Sequence, residues 1–192
     1  IMSTENEIMK GLIKHVLTEP EANPDELFDH IRPPFPEVVE TFGEGQTNIS
    51  YAGAIRAALD KIIENNGGVV VGQDVGKLGG VMQASAGLYA KHEGRVIDAP
   101  LNEPLIVGTS VGMSLHKDLK VLPEVQFGDY SLNAMHWFVY MGNLCWSTLG
   151  QANAPIILRT PTDPFGGGAM YHSMSLDGFY GSIPGLVIIS PS

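Results

Sequence analysis

The chain has 192 residues, 44% of them hydrophobic, and sets 21 acidic against 11 basic side chains for a net charge of -10. That length suits one well-buried domain and is marginal for two. The charge argues against a nucleic-acid groove or an anionic membrane surface, and no apolar run reaches the ~20 residues that a membrane-spanning helix needs. Cys145 is the single cysteine, which precludes an intrachain disulfide and, with no signal peptide in view, indicates a reducing, cytoplasmic setting. Ile1, and Ser192 directly after an apolar run, read as the cut ends of a longer protein.

Thr4-Glu-Asn-Glu7 has the pattern of a capping box, and Ile8, Leu12 and Val16 follow at helical spacing, predicting a helix to about Thr18. Prolines at 20, 24, 33, 34 and 36 then predict an extended connector with one short helix over 25–30. Asn48 is the expected cap of a second helix, with Ile49, Ile55, Leu59 and Ile62 on one face and Asn65-Asn-Gly-Gly68 as its stop. Beyond it the pattern alternates. Strands are predicted at 69–72, 95–99, 120–126, 155–160 and 186–190, and helices at 81–91, 105–115, 131–149 and 175–180.

The strands are continuous β-branched runs, as expected where both sheet faces are covered. Alternation of this kind predicts an α/β fold, mainly a parallel sheet with right-handed crossovers and helices on both faces. Residues 1–47 read as a helix plus a proline-rich connector, and residues 48–192 as the domain proper.

Glu103 stands where the 95–99 strand has ended and Pro104 opens a helix, so it falls at a strand's carboxyl end and a helix's positive end. Gln126 closes the next strand and Tyr130 follows it by a short turn, near the same edge. His172 follows the 155–160 strand across a glycine-rich loop. A carboxyl group, an aromatic face and an imidazole on one rim suit a flat heteroaromatic ligand.

Other motifs drop away. Gly72-Gln-Asp-Val-Gly-Lys-Leu-Gly-Gly80 lacks phosphate-loop spacing and has no Ser or Thr after Lys77, so its glycines serve close backbone approach. Gly166-Gly-Gly168 misses the dinucleotide fingerprint. The six histidines have no metal-ligand spacing, and no residue is assigned to a metal. His15, His30, His92 and His116 are expected at the surface, and His136 is expected to pack among Trp137, Phe138 and Tyr140.

From about Asn48 to its end the chain resembles the pyrimidine-binding domain in the beta subunit of thiamine-diphosphate-dependent 2-oxo acid dehydrogenases, the decarboxylating components of the pyruvate and branched-chain complexes. Gly72-Gln-Asp-Val-Gly76, Gly79-Gly80-Val81, Arg95-Val-Ile-Asp-Ala-Pro-Leu-Asn-Glu103, Glu124-Val-Gln-Phe-Gly-Asp-Tyr130, Tyr171-His-Ser173 and Pro184-Gly-Leu-Val-Ile-Ile-Ser-Pro191 carry the resemblance, in order and spacing. It implies the three-layer thiamine-diphosphate-binding fold of transketolase-like pyrimidine-binding modules. Two roles for Glu103 and His172 come with it. Glu103 shares a proton with a ring nitrogen of the cofactor's aminopyrimidine, and His172 faces the reaction intermediate and assists acyl transfer to lipoyl. Tyr130 is implied to pack against the aminopyrimidine, and Leu101 and Gln126 to line the same pocket. Thiamine diphosphate is the implied cofactor, its magnesium held by an alpha-type partner domain and not by this segment. A lipoyl-bearing acyltransferase, a 2-oxo acid and a homo-oligomeric assembly complete the implied partners.

Residues 18–36 resemble the tail of the alpha subunit of the same enzymes, which suggests a slice of a fused alpha–beta polypeptide. Gln73-Asp74, His136-Trp137 and the uncharged stretch Leu144-Cys-Trp-Ser-Thr-Leu149 depart from the family pattern and bear on partner contacts. Two alternatives stay open: a transketolase-type or deoxyxylulose-phosphate-synthase-type carboligase, whose usual motifs differ around Tyr130 and His172, and a non-catalytic assembly domain.

Overall fold

Val69-Val-Val71, Val96-Ile97 and Val121-Leu122 are the β-branched centres of three strands, β1 (Gly68–Gly72), β2 (Val96–Asp98) and β3 (Lys120–Glu124). The computed structural model describes residues 2–31, 33–34, 48–116, 119–162 and 168–191. The strands pair in parallel in the order β2-β1-β3, with Val70 opposite both Val96 and Leu122. β1, in the middle, is buried along its whole length, as its all-apolar centre requires.

From β1 the chain passes through α3 (Leu88–Lys91) to β2 on one side, and from β2 through α4 (Glu103–Ser114) to β3 on the other. Right-handed crossovers in opposite directions cover opposite faces. On the first face, Leu59 and Ile63 of α2 (Tyr51–Asn66) join Leu88 against Val70, Val96 and Leu122. On the second, Met113 of α4 packs with Val69, Val71 and Val121. Outside α4 lies a further layer of α5 (Met135–Ser147) and α6 (Asp177–Gly181), where Phe138 and Tyr180 pack on Val107 and Val111. Each large side chain buried this way contributes roughly 1.5–3 kcal/mol. Helices thus cover both faces of a parallel sheet, the expected class.

Several local expectations change. Ser50, not Asn48, caps α2, its hydroxyl accepting from Gly53 N at 3.1 Å, because Asn48 turns the chain at φ 76°. The 81–91 segment is not one helix. Gly87 at φ 80° breaks it into a 3₁₀ turn at Val81–Gln83 and the single turn of α3. The 131–149 segment begins as a 3₁₀ helix at Gly128–Ala134 before α5.

Residues 155–160 do run parallel beside β3, but only as two isolated bridges, Val121 to Ile156 and Glu124 to Arg159. Ile157 N donates to Val121 O and Arg159 N to Pro123 O, while Pro123 itself has no N–H to return. That missing donor interrupts the ladder. Residues 186–190 form no strand among the described residues, and Val187 and Ile189 stand exposed.

The amino-terminal helix α1 (Met2–Thr18) starts two residues before Thr4, so Thr4 is not its cap. Its apolar stripe is open, with Ile8, Leu12 and Val16 between 52% and 67% exposed. Over 25–30 only the 3₁₀ turn Pro24–Glu26 forms, capped by Asn23, and the chain bends at His30, φ 59°. The connector touches the domain where Trp146 Nε1 donates to Leu27 O at 3.3 Å, and its remainder over 35–47 lies outside the described residues. No helix among the described residues is long and apolar enough to cross a membrane.

Candidate functional site

The carboxyl ends of all three strands meet one rim, and the loops after β1 and β3 part where the strand order reverses direction, the usual ligand position in an open parallel sheet. A cleft of about 390 Å³ opens there, lined by Gln73, Leu101, Glu103, Gln126, Phe127, Tyr130, Asn133 and His172. All five residues singled out from the sequence therefore share one cavity. Leu101, 72% exposed, forms its outer lip.

Glu103 is set by local chemistry. Asn102 takes an extended conformation and its Oδ1 accepts from Leu105 N at 2.9 Å, so the helix begins on Glu103 itself with Pro104 behind it. The sequence reading started this helix two residues later. Free first-turn N–H groups make the position electropositive. Glu103 is only 8% exposed, and Asn133 Nδ2 donates to its Oε2 at 3.4 Å. The rest of α4 has no charged residue, and its buried Ser110 and Ser114 hydroxyls donate back to Ile106 O and Val111 O at 2.7 Å each.

Opposite Glu103, Gln126 Nε2 donates to Asp74 Oδ2 at 2.7 Å and ties the loops after β3 and β1 together. Tyr130 sits on the 3₁₀ helix with its hydroxyl 2.9 Å from His172 Nε2. Phe127 meets the His172 ring edge-on, centroids 4.6 Å apart at 81°. Beneath the cleft, Glu124 is 2% exposed and paired with Arg159, and it also accepts from Val81 N at 3.4 Å, so its buried charge is compensated.

The glycines of the 72–80 loop work by close approach. A Cβ on Gly76 would strike the carboxylate of Asp98, whose Oδ1 accepts from Gly76 N at 2.6 Å.

Sequence reasoning left three lining residues without a role. Phe127 lies one residue beyond Gln126, and Gln73 follows β1 as Gln126 follows β3. Asn133 is one 3₁₀ turn beyond Tyr130, a spacing that puts both on one side. That three-residue spacing from Tyr130 was the signal that could have found it.

His136 packs edge-on against Tyr140 at 4.6 Å and Trp137 at 6.2 Å, on the exposed face of α5. One histidine departs from expectation. His92, with 11% of its side chain exposed, is held by Asp60 instead of lying at the surface. Asp60, Glu64 and His92 bring possible ligand atoms within 4.8 Å of one another, but Lys91 Nζ stands 2.7 Å from both carboxylates and supplies the positive charge. The hydrogen bond with Lys91, then that with His92, holds the Asp60 carboxyl below its usual range, and the Asp60 bond pushes Lys91 up. This cluster clamps α3 to α2, away from the cleft.

Fold and cleft together define a ligand-binding α/β domain of the doubly covered parallel-sheet class. The chain belongs to the family described as "Transketolase, pyrimidine binding domain", which it matches over residues 47–192. It is 36% identical over 156 residues to the 2-oxoisovalerate dehydrogenase subunit beta of Bacillus subtilis, covering 75% of this chain and 45% of that protein. It is 38% identical over 145 residues to the pyruvate dehydrogenase E1 component subunit beta of Acholeplasma laidlawii, covering 72% and 43%. The mitochondrial 2-oxoisovalerate dehydrogenase subunit beta of Dictyostelium discoideum is 32% identical over 158 residues, covering 80% and 42%. The chain thus spans less than half the length of each of these relatives.

Proposed function

We propose that this chain is the aminopyrimidine-holding part of a thiamine-diphosphate-dependent 2-oxo acid dehydrogenase, the decarboxylating component that passes an acyl group to lipoyl. The observation that carries the reading is the buried Glu103 at one wall of a cleft whose other wall is aromatic. The donor set fits an aminopyrimidine. Glu103 can share a proton with a ring nitrogen, the Gln126 and Asn133 amides can meet polar edges, and Tyr130 and Phe127 offer ring faces and edges worth about 1 kcal/mol beyond burial. When bound, the cofactor supplies a carbon nucleophile and then a sink for the electron pair that decarboxylation releases.

The protein's own part is acid–base and positional. Glu103, nearly dry and fixed by the Asn102 cap, holds a proton at Oε1 or Oε2 against the pyrimidine. Phe127 and the outer-lip Leu101 supply the apolar part of that side. His172 is the group for the acyl-transfer half. Magnesium and the diphosphate belong to an alpha-type domain, whose tail we assign to residues 1–47 of a fused polypeptide working as an oligomer in the cytoplasm with a lipoyl-bearing acyltransferase. The relatives named above are dehydrogenase subunits, which favours this reading over a carboligase or an assembly domain.

Calorimetric titration of thiamine diphosphate with magnesium into this chain and into the complete protein tests it. Binding by the complete protein alone is the expected result. Binding by neither would overturn the reading in favour of the assembly domain.

A further inference from the structure

His172 lies on a turn that does little to hold it. Met170 and Tyr171 beside it are 77% and 70% exposed, Ala169 is at φ 60°, and among the described residues the one backbone bond within the turn runs from His172 N to Ala169 O at 3.3 Å. Gly168 lets the chain fold back here, since a Cβ on it would collide with the His172 Cβ. The orientation of the imidazole is therefore decided by side chains from another element. Phe127 meets the ring edge-on, and Tyr130, also edge-on at 5.3 Å and 85°, puts its hydroxyl 2.9 Å from Nε2.

We propose that the Tyr130 hydroxyl is the positioning group of His172, donating to Nε2 and holding the neutral ring as its Nδ1–H tautomer. The 2.9 Å contact admits two senses, Oη–H to Nε2 or Nε2–H to Oη, and the first is assigned because a phenol is the stronger donor and an imidazole nitrogen the stronger acceptor. Nε2 is thereby occupied, and Nδ1–H becomes the ring's only donor to a ligand in the cleft. The other titratable group lining the cleft is Glu103, and Asp129 lies behind, its Oδ1 accepting from Met174 N at 3.3 Å. Neither has a hydrogen bond to the imidazole among the described residues. Tyr130 thus does two things, offering a ring to the cleft and a hydroxyl to His172. A phenylalanine could do only the first.

The hydrogen bond itself is independent of the proposed reaction. Only the value of an oriented donor for acyl transfer rests on that reading, so the test avoids turnover. The complete protein, labelled with ¹⁵N-histidine, is measured by solid-state magnetic resonance at pH 8, and the His172 signals are assigned by their loss in His172→Gln. The wild type should show His172 with a bare Nε2 and a protonated Nδ1. Tyr130→Phe keeps the ring and should release His172 to the Nε2–H form or to a mixture, with the other histidines unchanged. Should that variant fail to fold, 3-fluorotyrosine at 130, a stronger donor of nearly equal size, should shift the Nε2 resonance further toward the hydrogen-bonded position. A protonated Nε2 in the wild type overturns the proposal. So does an Nδ1–H ring that survives Tyr130→Phe, or an Nε2 resonance indifferent to fluorination. A failed cofactor titration with this tautomer intact would count against the enzyme reading and leave the positioning role standing.

Discussion

The cleft has two corners built on different principles. At one, Glu103 is held by its chain neighbours: Asn102 caps the helix at 2.9 Å, Pro104 follows in the first turn, and α4 carries the whole unit against the sheet. At the other, His172 sits on an exposed turn and takes its orientation from Tyr130 and Phe127, more than 40 residues away in sequence. The first corner is rigid because three successive residues specify it. The second is only as rigid as the side chains that reach across to it. On the roles proposed above, a proton-sharing carboxyl tolerates little displacement, whereas a group proposed to meet a large incoming substrate gains from a mounting that can adjust.

The largest expected effect strikes the rigid corner. In the complete protein, Glu103→Ala and Glu103→Gln should each lower 2-oxo acid decarboxylation by about 10²–10⁴-fold, the usual weight of a positioned proton-transfer group. Steady-state rates settle this, and wild-type turnover in either variant would remove Glu103 from its role. Gly168→Val attacks the adjustable corner by driving a branched side chain into His172. Acyl transfer to lipoyl should fall by up to about 100-fold, while decarboxylation with an artificial acceptor changes little. Equal loss in both assays would show that the two corners are not separable.

Asn102→Ala tests how local the Glu103 mounting is. Loss of the cap costs about 1 kcal/mol, so the Leu105 and Ile106 amides should exchange with solvent about fivefold faster, with no change at the 168–172 turn. The smallest effect lies farthest from the cleft, at the Asp60–Lys91 clamp. Asp60 is depressed, so its contribution is present above the ordinary carboxylate range and is lost as pH falls through it. Lys91 is raised, so its contribution is present below the ordinary lysine range and is lost as pH rises beyond it. Amide exchange in α3, corrected for its intrinsic pH dependence, should therefore quicken at both extremes, and Lys91→Met should abolish the alkaline limb and weaken the acid one, where His92 still holds Asp60. A profile unchanged by that substitution would mean the exposed clamp adds nothing.

Legibility in the sequence follows the same division. The three central strands and the α/β class were readable, and the start of α4 to within two residues, because β-branched runs, proline and a short polar cap act within a few residues of themselves. The break at Gly87 (φ 80°), the 3₁₀ turn before α5 and the shift of the cap from Asn48 (φ 76°) to Ser50 were not, since glycine, asparagine and a short helical run each permit more than one backbone course. Asn133 escaped notice because what places it in the cleft is its reach to Glu103, 30 residues away in the chain.

By itself the sequence determined which residues stand at strand ends, and so that Glu103, Gln126, Tyr130 and His172 are candidates for one rim, which Leu101 joins through the family resemblance alone. Carboxyl-end placement in a parallel sheet follows from strand order along the chain. Only the tertiary structure decided that Glu103 is buried while Leu101 is not, that Lys91 fills the space between Asp60, Glu64 and His92, and that Tyr130 grips His172. Those outcomes are distances between elements remote in the chain, and no local preference encodes a distance.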